Sequence, residues 1–134
     1  MFAERYQVPV TWQETLSADA TRAIARAEGD VRIESCDVFN ASALATSATN
    51  YVTFKLINLG TDGQGTTVIA SASTSQTTGA AMVAHKAFPL TVVAAAAGVA
   101  DGETVGFIYD ESTTDVANSH VINVVYRYTQ TGTP

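Results

Sequence analysis

The sequence predicts an all-β domain: an antiparallel β-sandwich or jelly roll of about eight short strands behind an extended N-terminal arm. Three observations carry this expectation. Apolar and polar residues alternate with period two in several short runs, as in half-buried strands. Glycine-rich or Asp-Gly turns separate those runs. The chain of 134 residues, 46% apolar and 15% charged, is also long enough to bury a core and too apolar to be disordered.

The elements follow in chain order. Tyr6-Gln-Val-Pro-Val-Thr-Trp12 has an extended pattern, but Pro9 lacks the N–H that a central strand needs. It is therefore an edge strand or an arm, and Tyr6, Val8, Pro9, Val10 and Trp12 are the residues expected to contact a neighbouring subunit. Residues 17–29 place apolar side chains at 16, 20, 23, 24 and 27 with Ser17 and Gly29 at the ends, a helical spacing with caps. Residues 31–39 read as a strand. In 51–57, Val52, Phe54 and Leu56 share a face opposite Tyr51, Thr53 and Lys55. Residues 60–65, Gly-Thr-Asp-Gly-Gln-Gly, turn the chain into a β-branched return strand at 66–72. Residues 90–94 supply another strand. Asp101-Gly102 is a turn leading to 103–109, and in 120–128 Ile122, Val124, Tyr126 and Tyr128 share one face. The expected organisation is an arm at 1–16, a sandwich at 17–130 and a short tail at 131–134.

Charge narrows the function classes. Seven basic against thirteen acidic side chains give a net charge of -6, which is wrong for a phosphate-backbone binder, so no nucleic-acid partner is expected. No apolar run is long enough for a membrane helix, and Glu4 and Arg5 interrupt the place where an export signal would be apolar. The single cysteine, Cys36, allows no internal disulfide. The charges are also unevenly spread. Residues 1–37 hold eleven and 101–134 hold six, whereas 38–100 hold only Lys55, Asp62 and Lys86. Free monomers keep themselves apart with charged surface, so this depletion points to burial against other protein, the alternative being a Thr- and Ser-rich surface that is soluble without charge.

No constellation in the sequence carries a reaction. The glycines of 60–65 imitate a phosphate loop, but no helix follows and the lysine is missing. His85, His120 and Cys36 lack the close second ligand of a zinc site. Asp101, Glu103, Asp110, Glu111 and Asp115 offer oxygens without a calcium-loop spacing, and read as a solvated loop. No Gly-x-Ser-x-Gly elbow is present, and Asn40-Ala-Ser42 is a sequon by pattern alone. Trp12, Tyr6, Tyr51, Tyr109, Tyr126 and Tyr128 could form a sugar platform but suit the inner face and rim of a sandwich better. No catalytic residue, cofactor or metal is expected, and the chain is read as a non-enzyme.

The stretch Asn50-Tyr-Val-Thr-Phe-Lys-Leu-Ile-Asn58-Leu-Gly60-Thr-Asp-Gly63-Gln-Gly65-Thr66 resembles a pattern in small jelly-roll-like structural proteins of tailed-bacteriophage virions. Leu90-Thr-Val, Val99-Ala-Asp101-Gly102-Glu-Thr-Val and the closing Val-x-Val-x-Tyr strand extend the resemblance over roughly residues 18–128. It implies a jelly-roll-like sandwich in which the stretch after Asp19 is a strand, against the helical spacing of 17–29. It further implies a capsid cement or decoration protein on the virion exterior, commonly a homotrimer, whose partners are itself and the major capsid protein. The alternative is a receptor- or carbohydrate-binding module on a tail or fibre, with Tyr109 and Tyr126 in an exposed aromatic cluster.

Overall fold

The computed structural model describes residues 7–112 and 120–131. It is an all-β, antiparallel fold. The strands are β1 (Gln7–Leu16), β2 (Ala20–Arg26), β3 (Val31–Asn40), β4 (Val52–Gly60), β5 (Thr67–Ser73), β6 (Phe88–Val92), β7 (Gly98–Val99), β8 (Thr104–Glu111) and β9 (His120–Gln130). A single 3-10 turn, Ala94–Ala96, follows β6. Neighbours run β1-β9-β3-β6-β5-β4-β8-β2, with β7 added beside β3. The path folds over on itself as a sandwich-like, nearly closed sheet: β1, β9 and β3 form one layer, β5, β4, β8 and β2 the other, and β6 joins them.

The alternation read from the sequence is the alternation of the core. Val52, Phe54 and Leu56 of β4 point inward with no exposure, as do Ile122 and Val124 of β9. β3 breaks period two once. Its register slips between Ile33 and Ser35, and that bulge returns Cys36, Val38 and Asn40 to the inside after Val31 and Ile33. Phe54 is the hub of the aromatic packing, with ring centroids about 6 Å from Phe88 (6.0 Å), Phe107 (6.1 Å) and Tyr109 (6.0 Å). These contacts tie β4, β6 and β8 together.

Two sequence expectations are decided here. Residues 20–26 form a strand, paired with β8 from Ala20↔Tyr109 to Arg26↔Thr104, as the resemblance implied and the helical spacing did not. Pairing along β8 outweighs a local helical pattern whose apolar side is mostly alanine. The register slips between Ala23 and Ala25, so Ile24 packs against the core despite sharing strand parity with Arg22 and Arg26.

The second is a correction. The supposed arm is, from Gln7 onward, an edge strand of its own sheet, paired with β9 from Gln7↔Thr129 to Leu16↔His120. No boundary separates it from the sandwich. Pro9 fits because a residue without an N–H is tolerated where the backbone nitrogen faces the open edge. β1 and β2 meet across the remaining gap through a side-chain bridge, Arg22 Nε to Glu14 Oε2 at 2.9 Å. Both side chains are substantially exposed, so this pair adds little to stability.

Replacing Phe54 by alanine removes the hub and is expected to cost about 4 kcal/mol in a denaturant titration. Trp12→Ala, at a half-buried position, should cost roughly half as much by the same measurement.

Candidate functional site

A groove beside β5 and β6 originates in one missing hydrogen-bond donor. β5 and β6 pair through Ala70↔Val92 and Ser71↔Thr91, and the Val93 N–H donates to the Ile69 carbonyl at 2.7 Å. Antiparallel residues that exchange bonds recur at every second position, so Ser73 and Pro89 would come next after Ser71 and Thr91. Pro89 has no N–H to give. The Ser73 carbonyl instead accepts from Ala80 N–H at 3.1 Å, in the loop after β5. The first half of β6 pairs with β3, through Cys36↔Leu90, Asp37↔Pro89 and Val38↔Phe88. Strands β5 and β6 part there, and a groove of about 1080 Å³ opens between them.

Loop 74–87 forms the far wall and is tied down at several points. Ser47 N–H donates to the Thr74 carbonyl at 3.2 Å, and Gln76 N–H donates back to the Ser47 carbonyl at 2.8 Å. Leu44 and Met82 exchange bonds of 2.9 and 2.8 Å, and Met82 is buried. Gly79 lies so close to β5 that any Cβ would overlap the Ser73 carbonyl, so only glycine fits. His85 donates its N–H to the Asn40 carbonyl at 2.8 Å and takes a φ of 59°. No other non-glycine residue among those described has a positive φ.

The groove lining is dominated by small side chains. Hydroxyls come from Thr53, Ser71, Ser73, Ser75 and Thr91, methyls from Ala72, Ala80, Ala81 and Ala87, and Tyr51 stands at one end. Val83 is 55% exposed on the wall. Asp37 and Lys86 are the charged members. Asp37 Oδ2 lies 3.9 Å from Arg127 Nη1, and Lys86 makes no ion pair among the described residues. The signal that could have found this site was Pro89, a proline inside an otherwise apolar strand run; the sequence reading instead began that strand at Leu90.

The expected contact residues are elsewhere. Tyr6 lies outside the described residues. Val8 and Pro9 are exposed on β1, while Val10 and Trp12 turn inward against the core of their own chain. The Trp12 ring is 5.6 Å from Phe107 of the opposite layer. Trp12 therefore packs within its own sandwich and keeps part of its surface exposed. Tyr109 and Tyr126 are core residues, 0% and 3% exposed, on the inner face that suits them and not in an exposed platform.

The polar candidates are structural. Cys36 is buried, and desolvation, with the neighbouring Asp37 charge, pushes its thiol up to about 12. Asp101 Oδ1 accepts from Gly29 N–H at 2.8 Å, and Glu103 Oε1 accepts from Ala100 N–H at 2.7 Å. The Tyr109 hydroxyl donates to Glu111 Oε1 at 2.9 Å, and Asp19 Oδ1 accepts from Glu111 N–H at 2.7 Å. These carboxylates close turns and strand ends. Asp115 lies outside the described residues, and no group of three metal-ligating side chains occurs among those described.

His120 is buried at the start of β9. Its Nδ1 accepts from Asn40 Nδ2 at 3.3 Å, which leaves the proton of the neutral ring on Nε2, and Nε2 has no hydrogen-bond partner among the described residues. Burial lowers its pKa, against a smaller opposing pull from Glu111. The unfolded chain binds that proton more readily. The stabilisation is therefore complete above the ordinary histidine value of about 6.5 and is lost as pH falls from there toward the folded value.

No family model, curated protein or solved structure matches this chain.

Two expected outcomes follow from these environments. Cys36 in the native protein should react with a thiol reagent at neutral pH at least about a hundredfold more slowly than in denaturant, since it lacks both access and thiolate. Between pH 7 and 5 the thermal midpoint of the wild-type chain should fall further than that of His120→Gln, whose side chain does not titrate; parallel profiles would remove His120 from the account.

Proposed function

We propose that this chain is a self-associating structural protein of a bacteriophage particle, a cement or decoration subunit on the outside of the capsid shell. The observation that carries the reading is where the charge-poor half of the sequence goes. Residues 38–100 supply β4, β5, β6 and β7 together with the loops around the groove, and this part of the molecule holds only Lys55, Asp62 and Lys86 as charges. Two of the large apolar side chains left exposed, Val83 (55%) and Val93 (44%), belong to that same part. Few charges have to be desolvated there and the exposed valines gain from burial, and depletion of charged residues is the mark of a protein interface core. Multiplied over many copies on a shell, modest contacts hold firmly. The resemblance of residues 50–66 and 90–128 to small virion proteins supplies the particle and the trimer.

Light scattering of the purified chain is expected to give about three times the 14.0 kDa of one subunit. Added to shells of its own phage, the protein should decorate them in electron micrographs and raise the temperature at which they rupture. A chain that remains monomeric at millimolar concentration and binds no shell would overturn the reading.

A further inference from the structure

The strands that frame the groove carry, at their other end, a feature complementary to it. β4 starts at Val52, beside the groove residues Tyr51 and Thr53, and runs to Gly60, a span of about 30 Å for an extended strand. Residues 60–65 form the tip of the β4–β5 hairpin, with Thr61, Asp62, Gly63 and Gln64 exposed.

The tip is fixed before any contact is made. Gly65 N–H donates to the Leu59 carbonyl at 2.7 Å, Gly60 N–H to Asn58 Oδ1 at 2.8 Å, and Gln64 N–H to Asp62 Oδ1 at 3.0 Å. A Cβ on Gly65 would overlap the Asn58 carbonyl, so the glycine keeps the loop narrow. A narrow, pre-ordered loop loses little entropy on insertion. The groove, at about 1080 Å³, is at the top of the range for small-molecule sites and has room for a polypeptide turn.

Charge selects the pairing. Asp62 is the single acid of residues 38–100, and Lys86 is the single cation of the groove lining. Lys86 has no ion pair among the described residues and follows His85, whose left-handed backbone places a strained link at this wall.

We propose that the groove receives the 60–65 tip of a second copy of this chain, with Asp62 of the tip meeting Lys86 of the wall. This deepens the self-association reading and rests on it. The two surfaces differ, so the contact is head-to-tail and closes into a ring when the rotation allows. These opposite charges set the register of that contact, the other charge of the lining, Asp37, lying 3.9 Å from Arg127.

The test is a charge exchange, read as the association constant from light scattering over a concentration series. Lys86→Glu and Asp62→Lys should each weaken association about tenfold or more, because each sets like charges opposite one another. The combined variant should return to within a few-fold of wild type. Asp62→Asn, which retains an oxygen for Gln64 N–H, should weaken association in the same direction, separating charge from turn structure. If the wild-type chain associates and the single variants associate equally tightly, or the combined variant stays weak, this contact is wrong while self-association stands. If the wild-type chain does not associate at millimolar concentration, the contact and the reading beneath it both fall.

Discussion

A proline in a ladder position controls the architecture around the groove. β6 lies between the two layers and can bond to both only along different parts of its five residues. Pro89 decides where the change occurs: it cannot donate toward β5, so residues 88–90 belong to β3 and residues 91–92 to β5. The divergence leaves the end of β5 without a strand partner. Loop 74–87 fills that need with the Ala80 N–H and its close approach at Gly79. The shape of the groove and the tie between Ala80 and Ser73 follow from a ladder that stops one pair early.

The two halves of the sequence hold their loops and strand ends in different ways. Charged side chains concentrate in β1, β2, β3 and the 101–111 segment, where they cap turns and strand ends: Asp101 to Gly29, Glu103 to Ala100, Asp19 to Glu111. The central half needs few such devices, because its loops are held by main-chain bonds and by short hydroxyl-to-backbone bonds such as Ser47 Oγ to Thr49 and Asn50 N–H. Lys55, Asp62 and Lys86 are the only charges of residues 38–100, and folding of that half does not draw on more.

Most of the fold was legible from period two. The inward residues of β8, of β9 and of β4 as far as Leu56 are those the alternation assigns; beyond the register slip at Leu56 and Ile57, Ile57 and Leu59 are buried instead. Residues 17–29 were ambiguous since alanine satisfies either periodicity, and only pairing with β8 resolves it. Pro9 correctly marked an edge, but a sequence cannot state whose sheet the edge belongs to; the answer lay in β9, more than a hundred residues away. The groove was invisible for a similar reason. Its walls come from β5, β6 and a loop whose residues have no chemical signature beyond smallness, and its cause is a hydrogen bond that does not form.

β1 has a further consequence through how it is held. Among the described residues its main chain is bonded on one side only, to β9, and its other side meets β2 through the Glu14–Arg22 bridge. Peeling this strand away breaks one ladder and leaves the other seven pairings in place, the kind of partial opening that precedes global unfolding. Heat or mechanical load would enter the molecule at this seam, and the hinge of that opening is the short turn at 17–19. A neighbour seated against the free edge would act as a clasp, turning the weakest seam of the isolated subunit into a protected one.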